Sequence, residues 1–437
     1  TTFRGGLSHK YAFNKHISNT TIVFATGAFN NSSSAAGWTD KSSINFGLRS
    51  TIDLDYDLKK GFGISAIVGT ELQQQMAQTM GYNMVPDSTN IYYKIGAMKS
   101  NALAKEGTWS FISEITLRMP YDFALTFGAG VSSINIHLND RFYSGTSTNP
   151  TSYGASYNNL FSPKVTLNKV FKKQYSVYFA YTRGYKAPVS SNIFISATGD
   201  INTGLKAEMA DQLELGTKGS VLNNRINYSI AVYDAMFKNK MTAVAVPLDS
   251  SNTIAYTYTA NGGGQTDIGV EASIKAIAYQ SPNGYVTVSP FANFCYSYFR
   301  YKDFHLEALN AAKTDKVITD YSGNAVAGVS PVTANVGMDI SSPKYGPYLN
   351  ITYSYKDAMP ITSDGVYNTK AYNLLNMKIG YQHIFFKHLN VNAFLGINNI
   401  TSSQYYYMVF LNQQPDTYLP APRKANFYGG LSLTGIF

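Results

Sequence analysis

Apolar and polar side chains alternate one for one along much of this chain. In 389–398, Leu389, Val391, Ala393, Leu395 and Ile397 fall in one register, and Asn390, Asn392, Phe394, Gly396 and Asn398 in the other. The last twelve residues repeat the pattern. Phe427, Gly429, Leu431, Leu433, Gly435 and Phe437 oppose Asn426, Tyr428, Gly430, Ser432 and Thr434, with Ile436 as the exception. A period of two is that of a strand with one apolar face and one polar face. A tilted strand of this length crosses a bilayer. A strand packed on a water-soluble core reads the same way, so one segment leaves both readings open.

About seventeen such segments occur, bounded by turn residues. Their connections alternate. Short turns are predicted near 14–18, 58–61, 120–121, 172–173, 222–225, 281–284, 342–346 and 385–388. Long loops are predicted near 30–42, 80–107, 139–157, 189–206, 247–262, 303–326, 357–369 and 401–424. Short turns at one rim and long loops at the other are the pattern of an outer-membrane barrel, with the short turns periplasmic. Charges standing in mid-strand agree: Glu271 and Lys275 share the polar register of 267–275, and Asp53 and Asp55 that of 53–56. Such charges fit a water-filled interior better than a dry sandwich core. The predicted fold is all-β, a transmembrane antiparallel β-barrel. With seventeen strands the first and last would run parallel, whereas bacterial barrels of one chain have even strand numbers. Residues 1–437 are therefore expected to be a barrel domain truncated at its N-terminus, with strands preceding Thr1.

Composition strengthens the membrane reading. Charged residues make up 14% of the 437, well below the roughly one quarter usual in soluble domains. The 35 Tyr and 25 Phe suit the aromatic girdles of a barrel. No run reaches about 18 consecutive apolar residues, so a helical span is excluded. The net charge is +9, but the basic clusters Lys59-Lys60, Lys172-Lys173 and Arg423-Lys424 are short and dispersed, and no nucleic-acid surface is expected. Cys295 is the single cysteine, so no internal disulfide and no metal spacing arises from it. The opening Thr1-Thr2-Phe3-Arg4 is no signal peptide and reads as the start of a mature or truncated chain.

Enzyme signatures are not found. No Gly-x-Ser-x-Gly elbow or phosphate-binding loop occurs, and no carboxylate pair stands out as a dyad. His9, His16, His137, His305, His383 and His388 lie on scattered strands, turns and a loop. No catalysis, cofactor or metal is expected.

Several stretches in order resemble the barrel of TonB-dependent outer-membrane receptors. They are Phe161-Ser162-Pro163-Lys164, then Tyr178-Phe179-Ala180-Tyr181-Thr182-Arg183-Gly184-Tyr185-Lys186-Ala187-Pro188, Leu205-Lys206-Ala207-Glu208 and Leu213-Glu214-Leu215-Gly216-Thr217-Lys218. Gly396-Ile397-Asn398-Asn399-Ile400, Gln404-Tyr405, Tyr418-Leu419-Pro420-Ala421-Pro422-Arg423 and the closing strand complete the series. Before about Ile44 the likeness is one of alternation alone. The resemblance implies twenty-two strands, of which these would be the last seventeen. It also implies a plug domain and a TonB box upstream, through which the TonB energy-transducing complex is a partner. Phe437 matches the family's signal for the barrel-assembly machinery. Tyr185-Lys186-Ala187-Pro188 falls where haem receptors carry an Arg-Ala-Pro-type motif, but no histidine follows in 189–206. The implied function is active uptake of a bulky, scarce small-molecule ligand, with ferric siderophore as the expected class. A passive porin-like channel is the alternative, as is a structural or adhesin barrel in a surface complex, for which a surface lipoprotein would be the partner.

The ligand contacts expected from the external loops are aromatic and cationic: Trp38, Tyr82, Tyr143, Tyr256, Tyr258, Tyr405, Tyr406 and Tyr407, with Arg141 and Arg423. Rings stack on a planar chelate or sugar, and guanidinium groups pair with an anionic ligand. The competing reading places tyrosines near strand ends in the interface girdle, where outer-membrane lipid is the partner. A run of three such as Tyr405–Tyr407 must point to both faces, so at least one faces the ligand side.

Overall fold

The alternating segments become one antiparallel sheet of long strands in the computed structural model. It describes the chain except for 35–36, 88, 90–92, 143–150, 248–253, 310–315, 414–417 and 437. In chain order the strands are β1 (Thr2–Ala12), β2 (Ile17–Ser34), β3 (Gly37–Asp57), β4 (Gly63–Pro86), β5 (Tyr93–Met119) and β6 (Phe123–Asp140). There follow β7 (Ser152–Phe171), β8 (Tyr175–Lys186), β9 (Glu208–Val221), β10 (Ile226–Pro247), β11 (Ile254–Ala276) and β12 (Thr287–Lys302). The last five are β13 (Val332–Ser341), β14 (Pro347–Lys356), β15 (Tyr372–Phe385), β16 (Leu389–Asn398) and β17 (Asn426–Gly435). Each pairs with its sequence neighbour. Among the described residues β1 bonds only to β2 and β17 only to β16, and these two outermost strands run in the same direction.

The strands near the start are longer than the turn residues suggest. A tilted strand needs about 9–11 residues to cross a bilayer. β4 has 24 residues and β5 has 27. Much of what reads as loop in 30–42, 80–107, 139–157 and 247–262 is therefore paired strand standing above the membrane. Outside lipid the backbone groups still need partners, and the facing strand supplies them. Bulges at Tyr82 in β4 and near Asn239 in β10 bend these extensions.

Register and exposure assign the faces. Leu7, Phe427 and Leu395 are 81%, 78% and 70% exposed and share the outer register with Ile44, Phe46 and Phe127. The inner register carries the mid-strand charges, as the sequence pattern predicts, while nearer the long-loop rim Arg183 and Asp211 pair at 2.7 Å on the outer register. Ion pairs brace the inner register from strand to strand: Arg49 with Glu71, Arg118 with Asp55 at 2.6 Å, Lys164 with Glu114 at 2.8 Å and Lys275 with Asp339 at 2.9 Å. Tyrosines fill the gap where the facing residue is glycine. Tyr178 lies across Gly216 and Tyr233 across Gly269, and a Cβ at either glycine would stand 2.4 Å from the ring. The Tyr178 hydroxyl then donates to Glu214 Oε1 at 2.6 Å.

The short turns use left-handed backbone. Lys60, Tyr121, Lys172, Lys173, Phe386 and Lys387 all have positive φ. Two-residue hairpins of type I′ require this, and its twist matches that of the strands they join. The turn near 281–284 is part of a longer connection in which Tyr279–Gln280 pairs beside the start of β12. Among the described residues no helix is long and apolar enough to cross a membrane.

Candidate functional site

At the rim opposite the short turns, four long connections fold back on the inner wall. The 187–207 connection holds one helical turn, Ser190–Ile193, and a pair of two-residue strands, Phe194–Ile195 and Asp200–Ile201. Its Ile193, Phe194 and Leu205 pack on Ala77, Ala102, Ala104, Ile136 and Leu138, all from the inner faces of β4–β6. Ile136 is fully buried although it lies on the lumen face. On its other side the same connection bonds to β11. Asn202 Nδ2 donates to the Thr259 carbonyl at 2.5 Å, and Asn192 Nδ2 to Thr259 Oγ1 at 3.1 Å. Lys206 N–H donates to Asn261 Oδ1 at 2.8 Å, and Asn261 Nδ2 returns a bond to the Lys206 carbonyl at 3.1 Å. The connection thus joins two separated sectors of the wall.

The other three, which follow β12, β14 and β16, interlock around Ser363, and Asn399 braces the last of them. Tyr301 of β12 reaches Ser363 Oγ at 3.2 Å, Asn324 Nδ2 donates to the Ser363 carbonyl at 3.1 Å, and Ser363 N–H donates to Asn412 Oδ1 at 2.8 Å. Asn399 is fully buried. Its amide donates to the Ser403 carbonyl at 2.9 Å and accepts from Ser403 N–H at 2.9 Å. These polar bonds lie beside buried apolar residues of the same connections, Phe304, Val326, Met359 and Ile361, and the two together hold the loops in shape.

Between these connections an aromatic group opens toward the lumen. Tyr372, the first residue of β15, sits opposite Lys356 on the inner register. Its ring lies 5.7 Å from Tyr405 and 5.5 Å from Tyr406. Lys356 Nζ stands 5.4 Å from the Tyr406 ring, and the Tyr406 hydroxyl reaches Thr369 Oγ1 at 3.5 Å. Tyr407 stacks edge-on to Tyr405 at 5.9 Å and is 68% exposed. Burial, and then neighbouring Tyr407, push the Tyr405 phenol above its ordinary range. Rings with an adjacent ammonium can hold a flat, anionic ligand.

The other expected contacts scatter. Trp38 and Tyr82 are direct cross-strand partners on the same register as Ile44 and Met76, the outward one. Trp38 Nε1 bonds its own neighbour Asp40 at 2.6 Å. Both stand on the part of β3 and β4 that rises above the membrane, facing away from the lumen. Tyr258 packs on the cluster of Val244, Tyr301, Phe304 and Val326. Tyr256 lies near the 187–207 connection: burial, and then the Asp200 carboxylate, push its phenol up. Arg141 and Arg423 are exposed. Tyr143 and Phe437 lie outside the described residues. Sequence reasoning missed Lys356, Tyr372 and Thr369. Lys356 closes the polar register Asn350, Thr352, Ser354 and could have been found from that alternation. Tyr372 carries no such mark. His305 lies 3.7 Å from Asp320, and among the described residues no group of three or more His, Cys, Asp or Glu is arranged to hold a metal.

A family model described as "TonB dependent receptor-like, beta-barrel" matches residues 1–400. The chain belongs to the TonB-dependent receptor family. The match begins at the first residue and so extends well before the stretch where sequence motifs carried the likeness. It makes this chain an integral β-barrel of the Gram-negative outer membrane. Solved structures agree in fold. The siderophore receptor PiuA from Acinetobacter baumannii superposes with a TM-score of 0.78 at 15% identity, over 99% of this chain and 64% of PiuA. The ferric citrate transporter FecA, in its unliganded form, gives 0.75 at 13% identity, over 99% of this chain and 61% of FecA. The copper transporter OprC gives 0.69 at 12% identity, over 100% of this chain and 65% of OprC. The chain thus spans about three-fifths of the length of these solved relatives. No curated protein sequence matches it.

Proposed function

We propose that this TonB-dependent receptor chain is the larger part of a barrel that imports a ferric siderophore across the outer membrane. The observation that carries the ligand class is the inward group of Tyr372, Tyr405 and Tyr406 with Lys356 beside it. Clustered rings and an adjacent ammonium suit a bulky, planar, anionic chelate. Tyr256, Tyr258, Tyr143, Arg141, Tyr407 and Arg423 are proposed as further contacts, with Trp38 and Tyr82 the weakest of the set. The 187–207 connection across the mouth supports gated uptake over a permanently open pore. No bond of the ligand is made or broken. Energy comes from the TonB complex, acting on a plug domain and TonB box encoded before Thr1. Five further strands from the same upstream segment would complete the barrel, and Phe437 would present the closing strand to the assembly machinery.

The experiment is uptake of a radiolabelled ferric chelate by cells expressing the complete receptor. Uptake should require the receptor, fall to background when the proton gradient is dissipated, and fall in the Tyr406→Ala variant. Uptake that persists without the gradient would refute active transport, and uptake indifferent to Tyr406 and Lys356 would refute this site.

A further inference from the structure

The short turns carry a charge pattern that uptake does not use. Lys59 and Lys60 lie in one turn, Lys172 and Lys173 in another. Lys15, Arg225, Lys344 and Lys387 each occupy one more. Against these eight bases the eight short connections hold a single acid, Asp122. All eight bases are exposed, and none takes part in an ion pair among the described residues. The connections at the opposite rim carry both signs, as Asp200 with Lys206 and Asp364 with Lys370 illustrate. Even spreading of the chain's net charge would not produce this.

Two further observations say where the bases act. First, several stand at backbone positions that a lysine adopts at a disadvantage. Lys60, Lys172, Lys173 and Lys387 have φ of 63°, 50°, 54° and 61°. Asn or Gly is the favoured occupant there, and other residues pay about 1–2 kcal/mol. Secondly, each basic turn is flanked by exposed apolar groups continuous with the lipid-facing belt. Leu58 and Phe62 flank Lys59-Lys60, Phe171 precedes Lys172, and Phe386, 88% exposed, precedes Lys387. Lys344 lies over the rings of Tyr285 at 4.3 Å and Tyr345 at 5.6 Å. Paired ring and ammonium is the arrangement that sits at the level of lipid headgroups, with the ring below and the charge in the phosphate layer.

We propose that this rim is a binding surface for anionic phospholipid headgroups of the inner leaflet of the outer membrane. The ring of ammonium and guanidinium groups faces the phosphates, the aromatic and leucine side chains enter the acyl boundary, and the barrel is held at a defined depth. A soluble acidic protein would match the charge but not the exposed rings that accompany it.

The test uses the complete receptor chain in nanodiscs containing phosphatidylcholine and phosphatidylglycerol, with spin-labelled phosphatidylglycerol and phosphatidylcholine as probes. The parent protein should hold phosphatidylglycerol at its boundary in preference to phosphatidylcholine. The variant Lys59→Gln, Lys60→Asn, Lys172→Asn, Lys173→Asn should lose about fivefold of that preference for each lysine neutralised, from about 1 kcal/mol per surface charge. Asn suits the left-handed positions, so folding is retained, and the matching Lys→Arg variant should keep the preference. Neutralising Arg423 and Lys424 at the opposite rim should leave it unchanged. Equal association of both lipids with the parent would overturn the proposal, as would an unaltered preference in the neutralised variant or an equal loss in the Arg423, Lys424 control.

Discussion

The 187–207 connection offers the sharpest test of how the mouth is held. Three bonds join it to β11 through Asn202 and Asn261: to the Thr259 carbonyl, and both ways with Lys206. At about 0.5–1.5 kcal/mol net for each, their loss weakens the attachment by about 1.5–4.5 kcal/mol. The apolar seat of Ile193, Phe194 and Leu205 remains, worth about 1.5–3 kcal/mol for each buried side chain. The double variant Asn202→Ala, Asn261→Ala should therefore keep the connection closed on average but open it at least about tenfold more often, at 1.4 kcal/mol per factor of ten. Hydrogen exchange read by mass spectrometry reports this directly. Gly199 and Asn202 N–H are bonded inside the connection, to the Ile195 and Ile193 carbonyls at 2.8 and 2.7 Å. Their exchange should quicken by that factor while the centres of β5 and β11 keep their protection. Exchange within threefold of the parent would show that the amide bonds do not hold the connection. Equal quickening in β5 would show that the variant loosens the whole sheet instead.

Other outcomes follow from the same geometry. Tyr406→Ala and Tyr372→Ala should each weaken ferric chelate binding by about five- to thirtyfold, from about 1–2 kcal/mol per stacked ring or cation–π contact, whereas Trp38→Ala should leave it within twofold in a titration. Gly269→Ala should destabilise the barrel by about 1–3 kcal/mol, because its Cβ meets the Tyr233 ring at 2.4 Å; chemical unfolding in detergent would measure it. Lys240 pairs with buried Glu208 at 2.9 Å, and Glu208 also accepts the Met241 N–H at 3.1 Å. Lys240→Ala should then cost about 3–5 kcal/mol by stranding a buried carboxylate, against about 1 kcal/mol or less for Lys275→Ala, whose pair with Asp339 is half exposed.

The barrel was legible residue by residue because water inside and lipid outside act on every strand separately. Leu389 to Asn398 must alternate whatever its neighbours are, and Glu271 or Asp53 in mid-strand already points to a wet interior. The eight short turns, and hence the direction of β17, came from the same local signal. Strand length above the membrane was not legible. Gly81, Gly96 and Gly107 read as loop, yet 80–86 pairs with 93–101 and 102–107 continues the same strand, because beyond the bilayer the facing strand and not the solvent decides whether a backbone group bonds. The mouth was legible only in kind. Aromatic residues in the loops could be counted, but their faces follow from register: Trp38 turns outward with Tyr82, while Tyr406 turns inward to meet Tyr372, thirty-four positions earlier in the chain. Lys356 joins them only because β14 and β15 pair in one particular register. The Asn202 and Asn261 bonds arise in the same way, from a connection reaching across the barrel to a strand it does not adjoin. Alternation is a property of each strand alone and can be read from it; a site at the mouth is made by contacts between distant loops, and those exist only once the sheet has curved to bring them together.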